Sequence, residues 1–502
     1  MGQTDRSADQ PTGNRAERTY RRAAWVLCLL VFATVSVLAS SVTAGLHWGW
    51  CLPGVALTVV LLLVGRFLLL RRREPKAAAW LAVAVAGALA LRVGLAVSLP
   101  YKPCLDFRVY HDSGLLMAQS WKLAVPAGEN SATYRCFFPP GQVFSLGVLY
   151  RLFDGKVLAP QLLNAVYGAL TVAGAWYLAR RMFGATAAIT AALLAAAMPS
   201  AVLGCALIGA EAPESFWLVL AVCFYVGAVE ARLSRRAAVL CGLCLGVASL
   251  IRPTFVLLPA VLAAHLVVVS QSRVKAAVRG ALMVAGLAAV VLPWTYRNYL
   301  VTGGFILISS NGGGNLYSAN NDQAKGDYTD SAWQYVYDNG LDDLALQRVG
   351  FGMAKQWIAE HPLEFAKLAV RKFGLFWWTD KDIGWWATIQ PSSEHPELGV
   401  PRAVGELAEG SSSGFYSACF VAATVCLWRR RRELLNSTGW LVCAPVFLYF
   451  TALHMVFEAQ AKYHFMLMPL LCVLVSLAAA GPMPAGPLKH TGLAKRIEHA
   501  ES

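Results

Sequence analysis

The sequence predicts an all-α polytopic membrane protein of about twelve spans, with two large loops on one face. Three observations predict it. Of 502 residues, 57% are hydrophobic and only 14% are charged, where soluble domains carry about 25% charged residues. Apolar runs of the ~20 residues that a bilayer-crossing helix needs recur along the whole chain. Basic clusters stand at the ends of those runs: "RRREPK" (71–76), "ARRMF" (179–183), "ARLSRR" (231–236), "SRVKAAVR" (272–279) and "WRRRRE" (428–433). That is the positive-inside pattern. The net charge of +14 is thereby spread over short helix-end clusters that suit anionic headgroups, which argues against a nucleic-acid partner.

The clusters thread the chain. The first 22 residues are polar and Arg-rich, and the following run is long enough to span, so no cleavable signal peptide is expected. With a basic cytoplasmic tail at 1–23, spans at 24–46, 52–70 and 77–99 lead outward, back and outward again. Residues 100–158 form the first outside loop, and 159–179 returns to "ARRMF". Spans at 184–204 and 212–231 form a hairpin. The run 237–270 is too long for one span and carries Arg252-Pro253 in its middle. A mid-bilayer charge is costly and proline breaks a helix, so two spans with Arg252 at an outside turn are expected. A span at 280–296 opens the second outside loop, 297–412. Spans at 413–428, 438–456 and 464–481 complete a transmembrane domain of 24–481, and 482–502 is a cytoplasmic tail. All five basic clusters then share one side, and both large loops share the other.

Twelve cysteines lie mostly inside apolar runs, where Cys behaves as a small hydrophobe. Cys241 and Cys244 form a CxxC on one apolar helix face, which favours packing over metal binding. Cys104 and Cys136 both fall in the first loop, where an oxidising outside permits a disulfide.

The first loop opens with "CLDFRVYHDSGLLMAQSW" (104–121). A carboxylate between an interfacial helix and a span end is partly desolvated, which suits a general base acting on a hydroxyl. Asp106 is that candidate, and helix capping is the competing role. His111 and Asp112 are expected to be structural. Further on, "YRCFFPPGQVFSLGVLYRLF" reads as a helix along the membrane surface. Glu211 and Glu214 begin the span "EAPESFWLVLAVCFYV", where the helix dipole favours anions. That role suffices for Glu214, whereas Glu211 can also serve the site. Arg135, Arg252, Arg297, Lys462 and the adjacent His464 arrive from separate segments, and several cations converging would bind a phosphate. In the second loop, "SSNGGGNLYSANND" predicts a glycine turn whose backbone can approach a ligand. Its Asn311 and Asn315 offer amides to sugar hydroxyls; Tyr110 and Tyr463 join them as sugar or acceptor contacts. Asp380 and Asp382 form a DxD, discounted because the threading puts it outside, away from nucleotide sugars.

The ordered set "LDFRVYHDSGLLMAQSW", "FFPPGQVFSLGVLYRLFDG" with "LARRMFG", "MPSAVLGCALIGAEAPESFWLVL", "SLIRPTFVLLP" with "LPWTYRNYLVTGGFILISSNGGGNLYSANN", and "EAQAKYHFMLMPLL" resembles the GT-C superfamily of polyprenyl-phosphate-sugar-dependent glycosyltransferases. It is most similar to the bacterial protein-mannosyltransferase-like group, glycosyltransferase family 39 and related sequences. The resemblance runs over about residues 80–480. It implies a GT-C bundle whose outside loops carry interfacial helices, with Asp106 matching the family's first-loop acidic residue and Glu211 a second site carboxylate. It further implies an inverting transfer, on the periplasmic side of a bacterial inner membrane, from a polyprenyl-phosphate sugar to a glycan, lipid or protein hydroxyl. No cofactor is required, and a divalent metal is optional. Phe138 stands where lipid A-modifying relatives carry a lysine before Pro-Pro, and the Asp-Glu pair of some protein O-mannosyltransferases is missing, so the acceptor class stays open. The alternatives are a polytopic transporter, against which the absence of an evident repeat speaks, and a non-catalytic glycan-assembly protein.

Overall fold

The computed structural model describes residues 15–45, 48–70, 77–124, 135–229, 234–329, 339–437 and 440–482. The cluster 71–76, part of the cluster 231–236 and most of both tails lie outside the described residues.

The chain folds as helices, and no strand occurs among the described residues. The first three, α1 (Arg15–Gly45), α2 (Trp48–Leu70) and α3 (Ala77–Ser98), precede the first loop, which holds α4 (Leu105–Ser120) and α5 (Pro140–Leu152). Next come α6 (Leu158–Phe183), α7 (Ala185–Ala197), α8 (Pro199–Leu203), α9 (Glu211–Val229), α10 (Ser234–Ile251), α11 (Leu258–Val269) and α12 (Arg273–Thr302). The second loop carries α13 (Asn311–Ser318), α14 (Asp343–Glu360) and α15 (Pro362–Trp377), and α16 (Arg402–Arg429), α17 (Ala444–Val456) and α18 (Met468–Val475) close the bundle.

Each predicted span falls on helix, but the expected count of about twelve is met only in part. Among the described residues eight helices are long and apolar enough to cross a membrane, or nine if the bent pair Ala185–Ala197 and Pro199–Ala206 is one span. The remaining predicted spans are shorter: α10, Pro253–Val269 and Trp440–Val456. The first helix also reaches back to Arg15, into the basic stretch predicted as tail.

Polar contacts define two ends of the bundle. At one, Arg21 donates to Leu435 O, Trp25 Nε1 to Leu427 O, and Arg430 to the carbonyls of Leu477, Ala480 and Gly481. Tyr20 packs on His265 there, and Arg279 donates to Ala228 O. The basic clusters 272–279 and 428–433 therefore lie at this end. At the other end the loops meet: Ser310 N donates to Cys136 O, and Lys462 reaches Asp106.

The bend of 55° after α7 has an identifiable cause. Pro199 has no N–H to give Ala195 O, and a helix carbonyl cannot be left bare in an apolar bundle. Arg92, buried in α3, supplies the donors, to Ala195 O at 3.1 Å and Ala196 O at 3.0 Å. Beyond the bend, the irregular backbone of 206–208 is satisfied by side-chain amides: Gln161 to Ala206 O, Asn164 to Leu207 O and Gln142 to Ile208 O, all within 2.6–2.7 Å. These three amides fix the approach to Glu211.

Candidate functional site

Asp106 is the second residue of α4. The N-cap position belongs to Cys104, whose side chain makes no capping bond, so capping is not the role of Asp106. Its side chain is 63% exposed and its Oδ2 lies 3.3 Å from Lys462 Nζ. The preceding residue, Leu105, has φ +46°. A non-glycine residue held there costs roughly 1–3 kcal/mol, and such strain concentrates at functional sites.

Beside this pair lies a buried charge cluster. Pro253 pushes the residue before it into extended backbone, and Arg252 accordingly has φ −144° and ψ 118° between α10 and α11. Its guanidinium meets the two acids that open α9: Nε lies 2.6 Å from Glu214 Oε2 and Nη2 lies 3.5 Å from Glu211 Oε1. Both carboxylates are buried, and Glu211 Oε2 has no hydrogen-bond partner. The guanidinium also covers the Tyr463 ring at 5.0 Å. Tyr463 in turn donates its hydroxyl to Glu458 Oε1 at 2.5 Å, and Gln460 Nε2 donates to the same oxygen at 2.7 Å. Burial pushes the Glu458 carboxyl up, opposed by the Tyr463 hydrogen bond and Lys462. Tyr110 stacks on Phe138 with centroids 4.8 Å apart, and burial raises its phenol. Four carboxylates, Asp106, Glu211, Glu214 and Glu458, thus share two cations, Arg252 and Lys462.

The fold brings six sequence-predicted residues to this cluster: Asp106, Tyr110, Glu211, Arg252, Lys462 and Tyr463. Two others, Arg135 and Arg297, belong to a scaffold where the loops join. Arg297 donates to Arg135 O at 3.0 Å and Leu123 O at 3.2 Å and covers the Trp294 ring. Asp343 accepts from Arg135 N, Cys136 N and Ser310 Oγ. Arg135 itself is exposed. Asn311 accepts a bond from Ser309 at the start of α13, one turn before Asn315.

Several expectations need correction. The triple glycine is helical, and what approaches it is α14: a Cβ on Gly313 would lie 2.3 Å from Gln347 O, and one on Gly350 would lie 2.4 Å from Gly313 C. The glycines thus admit a neighbouring backbone rather than a ligand. His464 is fully buried, donates from Nδ1 to Phe376 O, stacks on Trp377 and Tyr416, and faces Asp380 at 3.4 Å. It lies in the core, away from the exposed face that Asp106 occupies. Cys104 and Cys136 are separate buried thiols, each pushed up to about 11 by burial. Glu214, expected only to complement the helix dipole, is the residue closest to Arg252. Glu458 joins the cluster as an unexpected member; its signal in the sequence is an acid beside an apolar run.

Comparison with known proteins fits this architecture. Residues 138–296, about a third of the chain, match the family of dolichyl-phosphate-mannose-protein mannosyltransferases. No curated protein sequence matches the chain. In fold it is similar to the archaeal oligosaccharyltransferase AglB from Archaeoglobus fulgidus, solved with an inhibitory peptide and a dolichol-phosphate. The TM-score is 0.50 at 15% identity, over 81% of this chain and 50% of that one. ArnT from Cupriavidus metallidurans bound to undecaprenyl phosphate aligns over 80% of this chain and 78% of its own, with 17% identity and a TM-score of 0.42. The chain has the GT-C fold. The matched segment 138–296 begins after Asp106 and ends before Glu458 and Lys462, and the chain spans about half the length of the oligosaccharyltransferase.

Proposed function

We propose that this chain is a membrane glycosyltransferase that moves a sugar from a polyprenyl-phosphate donor to an acceptor hydroxyl, with inversion, on the outer side of a bacterial cell membrane. The observation that carries the reading is the accessible Asp106 carboxylate set 3.3 Å from the Lys462 ammonium, beside a half-buried Arg252. A base and an anion-binding cation within one hydrogen-bond length can serve the two ends of one displacement.

In this reaction Asp106 takes the proton of the acceptor hydroxyl, whose oxygen forms a bond to the anomeric carbon from the face opposite the phosphate. The bond from that carbon to the phosphate oxygen breaks, and its electron pair leaves with the polyprenyl phosphate. Lys462 and Arg252 stabilise that charge, the usual role of fixed cations at a developing anion. Because these cations can neutralise one phosphodiester, no divalent metal is required. Glu211 holds Arg252 in place.

The test is transfer by the purified protein from labelled polyprenyl-phosphate sugars to a membrane extract of the host, with the anomeric configuration of the product read by NMR. Transfer with configuration opposite to the donor supports the proposal. Transfer with retained configuration contradicts the single displacement. Binding of neither donors nor bare polyprenyl phosphate contradicts the enzyme reading.

A further inference from the structure

We propose that Trp386 is the wall on which the donor's sugar ring stacks, and so a specificity-determining residue of the site. The inference rests on the reading of Asp106 and Lys462 given above and adds the group that contacts the sugar.

Trp386 belongs to a π-helical turn, Trp385–Ile389. Such turns insert one extra residue, re-aim the side chains of the helix that holds them, and recur at functional sites. Here the turn delivers an indole to the one place where base and cation meet. The Lys462 ammonium lies 5.0 Å from the indole centroid. The Phe107 ring, next in sequence to Asp106, meets the indole edge-on with centroids 5.2 Å apart and planes at 88°. Asp106 and Trp386 therefore both flank the Lys462 ammonium. Trp386 is half-buried, and with Phe107 and Tyr110 it belongs to a small apolar cluster separate from the main core.

The reaction fixes what must lie beside these three side chains. The acceptor oxygen must lie within hydrogen-bond reach of Asp106, and the anomeric carbon within about 3–3.5 Å of that oxygen. The phosphate on the same carbon must reach Lys462. The sugar ring then bridges the Asp106–Lys462 pair and lies against Trp386. A pyranose presents an apolar face of C–H groups, and a flat indole is the complementary surface.

The experiment compares two probes on the full-length protein in lipid nanodiscs, bare polyprenyl phosphate and polyprenyl-phosphomannose, for wild type, Trp386→Ala and Trp386→Phe. Trp386→Ala is expected to weaken the sugar-bearing lipid about tenfold, the scale of one lost aromatic contact. It should leave the bare phosphate lipid within about twofold, and Trp386→Phe should restore most of the loss. Equal losses for both lipids would make Trp386 a structural support of the Asp106 helix and overturn the inference. So would no loss for either, or a wild type that binds the two lipids alike. A wild type that binds neither lipid would sink the proposed function, and this inference with it.

Discussion

Replacing Arg252 by Met is predicted to destabilise the protein severely, and a second change should undo much of the damage. In the native cluster Arg252 lies 2.6 Å from Glu214 and 3.5 Å from Glu211, whose side chains are 0% and 5% exposed. Methionine keeps the length and the apolar stem but strands two buried carboxylates. Breaking a buried pair by removing one partner costs about 3–5 kcal/mol, whereas replacing the whole pair with neutral groups is often close to neutral. Arg252→Met alone should therefore lose about 3–5 kcal/mol. Adding Glu214→Gln should recover about 2 kcal/mol, a coupling typical of residues in direct contact. Unfolding by SDS titration in lipid micelles, followed through the 16 tryptophans, measures all three variants. A single mutant within about 0.5 kcal/mol of wild type, or a double mutant no better than the single, would refute the view of Arg252 as counter-ion to both acids.

Two further changes probe the framework. Gly350→Val puts a side chain where even a Cβ would lie 2.4 Å from backbone of Gly313; because backbone cannot swing aside, a loss of at least about 1–3 kcal/mol is expected in the same titration. Lys372, buried in α15, donates to Asn320 Oδ1 and to Val456 O just before the Glu458 segment, and burial pushes its ammonium down to about 7. Between that value and the ordinary lysine value the unfolded chain binds more protons, so this residue makes stability rise with pH over about pH 7–10, by at most ~1.4 kcal/mol per pH unit. Lys372→Met should remove that slope, gaining on wild type as pH falls from 10 to 7; unchanged slopes in pH-dependent unfolding would refute it.

Much of the fold is legible because lipid imposes simple demands: apolar runs of bilayer length and cations at one end. The broken helices are harder to read. That the backbone of 206–208 can stay irregular depends on Gln142, Gln161 and Asn164 from two other helices, and Arg92 answers a proline more than a hundred residues away. The site divides the same way. Asp106, Glu211, Arg252 and Lys462 are visible as charges that an apolar chain would not carry without use, and Pro253 announces the turn at Arg252. Their convergence is a tertiary fact. So is the fate of the triple glycine, whose local signal is a turn until α14 packs on it. Trp386 carries no local signal, since a π-helical turn has no sequence mark among 16 tryptophans.

The central claim is that Asp106 is the base. Donor binding and single-turnover transfer should be measured on wild type and Asp106→Asn, with the donor that supports transfer and with thermal melting as a folding check. Equal melting is expected, because the side chain is 63% exposed. Donor affinity should be retained within a few-fold, and transfer reduced by about 10²–10⁴, the usual contribution of a general base. Transfer by Asp106→Asn at the wild-type rate, with donor bound, would contradict it.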